Sequence, residues 1–223
     1  MQFVRITSID DPLFAKMHAM MQRIFPADEV LDYALWAEPL KDDGLRVCVA
    51  VHDGEVVGAT EYRYYPDMNV AMTDFTIIGR EGLGIGRFLY LNRKADLEQW
   101  AQRHGKTPLG MFAEIYDPYR AKDHAFGGIK PMDPYVRREV LSHLGYQRLD
   151  FPYVHPSWTN TGGAVSELDF CFLPTNDAME SLPAELIVGF LTGYYAILPN
   201  KPEAWHAMVE RLKAMQQVPL LPL

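Results

Sequence analysis

The chain has little cysteine, no surplus of basic residues and no uninterrupted apolar run of membrane length. Its two cysteines among 223 residues, Cys48 and Cys171, both sit in apolar, strand-like runs. They support neither a disulfide framework nor a metal site, and a free cysteine in such a setting behaves as a small core hydrophobe. His104, His124, His143 and His155 are scattered without a metal-ligand spacing such as His-x-x-x-His, so no metal is expected. A net charge of −8 argues against general nucleic-acid binding and leaves room for small cationic substrates such as amines. The start, Met1-Gln2-Phe3-Val4-Arg5, lacks a basic segment followed by an apolar core, so a cytoplasmic location without membrane attachment is the expectation. The longest apolar run, Leu182 to Leu198, is interrupted by Pro183, Glu185, Gly189 and Gly193 and reads as a buried helix.

What is present is enough for a full core: 48% of residues are hydrophobic and 22% charged. Short strands are expected at Phe3–Ile6, Arg46–His52, Val56–Tyr64 and Val70–Ile78. Asp53-Gly54 turns the second into the third as a hairpin. Helices are expected over Leu13–Ile24, started by Asp10 or Asp11 ahead of Pro12, and over Ala27–Leu40. A long helix over Gly86–His104 is stopped by Gly105 and followed by a buried strand, Leu109–Ile115. Tyr116 to Met132 is a polar connection long enough to suggest function. A helix over Pro134–Leu144, capped by Asp133 and ended by Gly145, leads to strands at Tyr146–Val154 and Ala164–Leu173. Two more helices, Pro183–Leu198 and Pro202–Val218, complete the chain; they could cover an acceptor site, bury a homodimer face or pack on the core.

The stretch richest in chemistry is Glu81-Gly82-Leu83-Gly84-Ile85-Gly86-Arg87, a glycine turn running straight into the long helix. Glycines let backbone amides approach an anion without a Cβ in the way, and the unpaired amides and dipole of a helix start favour negative charge. A nucleotide-triphosphatase loop would end in Gly-Lys-Ser/Thr, which Gly86-Arg87-Phe88 does not supply. A dinucleotide fingerprint would place a third glycine at position 89, which is Leu89.

Gly84-Ile85-Gly86 at the opening of an apolar helix resembles the coenzyme A loop of the GNAT acyltransferases, Gln/Arg-x-x-Gly-x-Gly/Ala. The element order β-α-α-β-β-β-α-β-α-β-β over residues 1–174 is similar to theirs as well. The resemblance implies an α+β fold with a central mixed, mostly antiparallel sheet flanked by helices, a domain of residues 1–174 and a helical extension of 175–223 packed on it. It implies acetyl-CoA or another acyl-CoA as co-substrate and a small-molecule or protein amine as acceptor. The pyrophosphate is then expected on Gly82, Leu83, Gly84, Ile85, Gly86 and Arg87. The pantetheine arm is expected on the backbone of Ile77 and Ile78, where the strands before and after the long helix splay apart. Glu81 stands where the family usually has Gln or Arg, so Arg80 or Arg87 is the candidate partner for the phosphates.

Acyl transfer to an amine requires the neutral amine, one proton taken from nitrogen and one given to the departing thiolate. Glu114 is the preferred base and Glu61, on a tyrosine-rich strand, the second candidate. The tyrosine that many of these enzymes carry four residues before a Gly-Phe or Gly-Tyr pair is Leu141 here, so Tyr135 or Tyr116 is the candidate acid. Tyr116, Asp117 and Tyr119, with Arg120, are candidates for acceptor contacts, and so is Glu61. The rival reading is a non-catalytic member that binds an acyl-CoA or serves in regulation; Glu81 and Leu141 favour it.

Overall fold

A computed structural model describes residues 1–25, 30–120, 134–157, 162–165 and 167–223. The chain divides into two compact units, the break falling between Met111 and Phe112. Among the described residues the first holds strands β1 (Gln2–Ile6), β2 (Leu45–His52), β3 (Glu55–Tyr65) and β4 (Val70–Ile78), with helices α1 (Pro12–Ile24) and α2 (Ile85–Arg103). Its strands run in the order β1-β2-β3-β4, each antiparallel to the next.

Alternation along β2 divides the core of this unit. Val47, Val49 and Val51 pack with Phe14, Met17, Met20 and Met21 of α1 and with Trp36 and Leu40. Ala50 on the other face packs with Ile85 and Leu89 of α2. Helix α1 starts where expected: Asp11 accepts from the Leu13 amide at 2.8 Å, ahead of Pro12 in the first turn. The helix expected over Ala27–Leu40 is not formed. Residues 26–29 lie outside the described residues, and the rest of that segment makes two short 3-10 turns, Tyr33–Ala37 and Pro39–Lys41. Pro39 explains the break, since it has no amide to donate into a continuous α-helix.

The second unit contains β5 (Gly110–Tyr116), across whose start the division falls, and α3 (Pro134–His143). Then come β6 (Gln147–Leu149), β7 (His155–Pro156), β8 (Ala164–Val165), β9 (Leu168–Pro174) and β10 (Ser181–Pro183). Helices α4 (Ala184–Tyr194) and α5 (Glu203–Lys213) precede β11 (Gln217–Pro222). The main strand order is β5-β9-β6-β11-β10, while β7 and β8 form a separate two-stranded ladder. The strand expected over Tyr146–Val154 is cut to β6, because Pro152 cannot join a ladder, and the strand expected over Ala164–Leu173 is two strands in different sheets.

The helix expected to reach Val218 ends at Lys213. Gln217–Pro222 is drawn into the sheet instead: Val218 and Leu220 alternate with exposed neighbours as a strand that pairs with β6 on one side and β10 on the other. Residues after 174 therefore contribute two strands as well as two helices to this unit. Its core is aromatic: Phe112 of β5 lies 4.9 Å from Phe170, 4.9 Å from Phe172 and 4.5 Å from Phe190, centroid to centroid. Among the described residues no helix is long and apolar enough to cross a membrane.

Candidate active site

In the first unit the glycine turn is open. Gly82 (φ 80°) and Gly84 (φ 66°) occupy left-handed conformations, and a Cβ built on either would meet nothing within 4 Å. Gly84 caps α2 with no side-chain hydrogen bond; its carbonyl accepts from the Phe88 amide at 3.0 Å, as a helix start requires. Gly84 thus brings no side chain of its own to the amides of the first turn, and Glu81 and Arg87 are both exposed. The helix is held against the sheet from below. Ile85 and Leu89 are buried, and a Cβ on Gly58 of β3 would stand 2.4 Å from Ile85 Cγ2, so the close approach needs glycine there. Ile77 and Ile78 oppose Ala59 and Gly58 at the end of β4; the Ile77 side chain is buried and that of Ile78 exposed.

The buried stripe of α2 is Ile85, Leu89, Arg93, Leu97 and Ala101. Arg93 in this row escaped sequence reading. Its Nη1 donates to the hydroxyls of Thr60, Thr73 and Thr76 at 3.0, 2.9 and 2.8 Å, joining β3 and β4 beneath the helix. Nearby, β4 carries a bulge: Glu61 faces Phe75 and Tyr62 faces Thr73, leaving Asp74 extra. Burial and the adjacent Asp74 carboxylate, which shares a hydrogen bond with Glu61, hold the Glu61 carboxyl well above the usual carboxylate range.

In the second unit Glu114 lies on the Phe112 face of β5, half-buried. Its Oε1 accepts hydrogen bonds from the hydroxyls of both Tyr153 and Tyr195, which lie 2.6 Å from each other. Its Oε2 faces His155 Nε2 at 3.5 Å. Tyr153 stacks on Phe170 at 5.0 Å, and Tyr195 packs edge-on against His155 at 5.7 Å. Burial first, and the Glu114 charge second, hold both phenols well above their usual ionisation range, so at neutral pH they are donors.

Many solved structures resemble this chain, among them the following three. A protein described as an acetyltransferase of the GNAT family from Bacteroides thetaiotaomicron matches over 90% of this chain and 98% of its own, with TM-score 0.63 and 12% identity. The ribosomal-protein-S18-alanine N-acetyltransferase from Escherichia coli matches over 81% and 99%, with TM-score 0.51 and 13% identity. An aminoglycoside 6'-N-acetyltransferase solved with coenzyme A matches over 77% and 95%, with TM-score 0.51 and 15% identity. The chain has the GNAT acetyltransferase fold. No protein-family model matches it, and no curated protein matches it in sequence. The expected α+β architecture, a mixed sheet flanked by helices, is borne out.

On this GNAT fold the other predicted site residues are placed less simply. Tyr135 is half exposed on α3, donates to the Pro118 carbonyl at 3.3 Å and lies edge-on to Tyr119 at 5.1 Å. The tyrosines bonded to Glu114 are Tyr153 and Tyr195 instead, from residues that no local motif singles out. Tyr116 ends β5, half-buried and close enough to Arg137 to interact with it electrostatically. Asp117 is consumed by its own turn: it accepts from the Tyr119 amide at 3.0 Å and from Arg120 Nε at 2.7 Å. Burial pushes its carboxyl up, but these two donors prevail and hold it below the usual range. Arg120 and Arg138 both also bind Asp169, so this corner is a charge network more than an open acceptor site. Tyr119 remains exposed. The rest of the connection and the expected cap Asp133 lie outside the described residues.

Among the described residues there is no group of three or more His, Cys, Asp or Glu suited to a metal. Cys48 and Cys171 are free and buried, and burial pushes the Cys48 thiol up to about 12. A cleft of about 540 Å³ in the first unit, lined by Arg5, Arg46, Arg63, Tyr64, Trp100 and Arg103 among others, contains none of the predicted site residues.

Proposed function

We propose that this protein is an acyl-CoA-dependent N-acyltransferase, with acetyl-CoA the first co-substrate to test and an amine as acceptor. The observation that carries the reading is the uncapped, exposed start of α2, with Gly82 and Gly84 left-handed and unobstructed, in a chain of GNAT fold. Gly82 to Arg87 fit a pyrophosphate: the first-turn amides are not capped by the side chain of their own N-cap residue, which is Gly84, and exposed Arg80 and Arg87 are the nearby cations. The coenzyme, when bound, brings an acyl thioester. Ile77 and Ile78 offer backbone groups to its pantetheine arm. Support for an amine acceptor comes from the E. coli and aminoglycoside enzymes, whose names state N-acetylation.

Glu114 is the residue we assign as base, acting directly or through one water. Amide formation consumes the amine lone pair and releases one proton, and a carboxylate held by two hydroxyls is a fixed place to receive it. Tyr135 or Tyr116 stays the candidate proton donor for the thiolate, since the hydroxyls of Tyr153 and Tyr195 stay protonated at neutral pH and are engaged at Glu114. Glu61 with Asp74 is the candidate site for the cationic form of the acceptor: burial and the Asp74 charge favour a protonated Glu61, so the two groups share one negative charge that attracts an ammonium. Exposed Tyr119 offers a flat face to the same class of ligand.

The test is thermal unfolding with acetyl-CoA, CoA and longer acyl-CoAs, followed by a screen of polyamines, aminoglycosides, amino acids and peptides for CoA release. Ligand at one hundred times its dissociation constant should add about 2.7 kcal/mol. Absence of any shift would remove the functional reading. A shift without CoA release on any acceptor would leave the non-catalytic, acyl-CoA-binding alternative.

A further inference from the structure

The Glu114 carboxylate is held by partners from two separate stretches of chain. Tyr153 lies two residues before β7, His155 opens that strand, and Tyr195 caps the C-terminal end of α4, in the segment that lies beyond the residues carrying the family resemblance. Oε1 lies within hydrogen-bond reach of both phenol oxygens, which also contact each other at 2.6 Å, so two phenol protons are shared among three oxygens and Oε1 is the carboxylate oxygen they face. On Oε2 the contact among the described residues is His155 Nε2 at 3.5 Å, longer than a well-formed hydrogen bond. The two oxygens are therefore not equivalent.

Taking Glu114 as base, as argued above, we propose that Tyr195 is a positioning residue: its hydroxyl, with that of Tyr153, commits Oε1 and leaves Oε2 as the oxygen that receives the proton. The phenol is well suited to this. Tyr195 is fully buried, with its ring edge-on to Tyr194 at 4.8 Å, to His155 at 5.7 Å and to Trp205 of α5 at 6.4 Å. A ring packed on three sides cannot swing its hydroxyl away, so the carboxylate it binds keeps one orientation. Tyr153 is fixed in the same way by Phe170 at 5.0 Å and Phe151 at 6.2 Å. Both phenols stay protonated at neutral pH and present the hydrogen that Oε1 accepts. The C-terminal segment thereby acquires a role beyond covering apolar surface: it supplies the second donor that orients the base.

Tyr195→Phe tests this, because it keeps the ring and its packing and removes only the hydroxyl. We expect turnover to fall about tenfold, with the Michaelis constants of coenzyme and acceptor unchanged within about threefold. In a Glu114→Gln background the same change should have no further effect on turnover beyond about twofold, because Tyr195 acts through Glu114. An equal loss in both backgrounds would overturn the proposal. The second arm needs no activity: in a urea-unfolding cycle of Tyr195→Phe and Glu114→Ala, the pair should be coupled by about tenfold in the unfolding constant, as expected for a hydrogen bond to a charged group. Additive unfolding effects would overturn the proposal even if an acceptor is found. Coupled unfolding without CoA release on any acceptor would reject the catalytic reading and with it the role of Oε2. If Tyr195→Phe does not fold, Tyr153→Phe probes the same oxygen from the other side, with the same expected and overturning results.

Discussion

The glycine turn of the first unit and the Glu114 cluster of the second are built by opposite means. The turn offers backbone amides and lies within a single run of residues, 82–87, whose side chains matter chiefly by being absent at Gly82 and Gly84. The cluster offers side-chain groups, and its members, Glu114, Tyr153, His155 and Tyr195, come from β5, from just before and at the start of β7 and from the end of α4. One is insensitive to most side-chain changes and sensitive to a Cβ or a charge in the turn. The other tolerates backbone variation elsewhere but depends on individual oxygens. A local backbone site is encoded where it stands; a side-chain site is encoded wherever the fold gathers its parts.

The sharpest way to break this contrast is Glu114→Gln. Turnover should fall a hundredfold or more while coenzyme-induced stabilisation persists, the pattern of a lost base with an intact binding loop. The same variant removes the charge that helps hold the phenols protonated, so tyrosinate absorbance should rise at lower pH than in the wild type. Loss of the coenzyme shift in this variant would show that the two sites are not separable.

The converse variant, Gly84→Asp, should abolish the acetyl-CoA shift while the protein still folds. The position has room, aspartate is among the residues that tolerate the left-handed conformation, and the added charge faces the anion. An unchanged shift would move the anion site away from α2.

A smaller effect separates Asp117 from Tyr119. Asp117→Ala should lower stability by about 1–2 kcal/mol in urea unfolding, through loss of the Arg120 and Tyr119 amide bonds. Tyr119→Ala should leave stability unchanged and raise the acceptor's Michaelis constant. Because the Asp117 carboxyl is held below its usual range, its contribution is full above about pH 4 and is lost as pH falls through the lowered value; Asp117→Asn should flatten that acid limb.

The smallest effect concerns Glu61, whose shift runs the other way. With its folded-state carboxyl raised, the native form binds more protons than the unfolded chain, so stability decreases as pH climbs from about 4.3 through the raised value. Glu61→Gln should remove this decline and raise the melting temperature slightly near neutral pH. A lowered melting temperature would mean that the ionised pair with Asp74 is the favoured state.

Much of the fold was readable along the chain. Asp11-Pro12 starts α1, Asp53-Gly54 closes the β2–β3 hairpin, and Gly84-Ile85-Gly86 opens α2, each by conformational preferences that act within a few residues. Glu114 was readable as a carboxylate on a buried strand. Its partners were not, because Tyr195 is 81 residues away in sequence and reaches Glu114 only through the packing of α4 on an aromatic core. Arg93 in the buried stripe of α2 was invisible for the same reason, since the three threonine hydroxyls that its Nη1 meets come from β3 and β4. β11 was missed because Gln217 and Val218 read as the end of the helix from Pro202, and Pro219–Pro222 reads as no element until its pairing with β6 is known.

The sequence alone determined many of the turns of this chain, where the glycine turn opens its long helix, and that it has an α+β fold of a mixed sheet flanked by helices. Those follow from φ preferences, missing Cβ atoms and apolar periodicity, all of them local. Only the tertiary structure decided which tyrosines meet Glu114, that Asp117 is spent on Arg120, and that the last residues of the chain join a sheet. Such pairings depend on which distant groups burial brings within hydrogen-bond reach, and a buried polar group takes whatever partner the folded chain puts there.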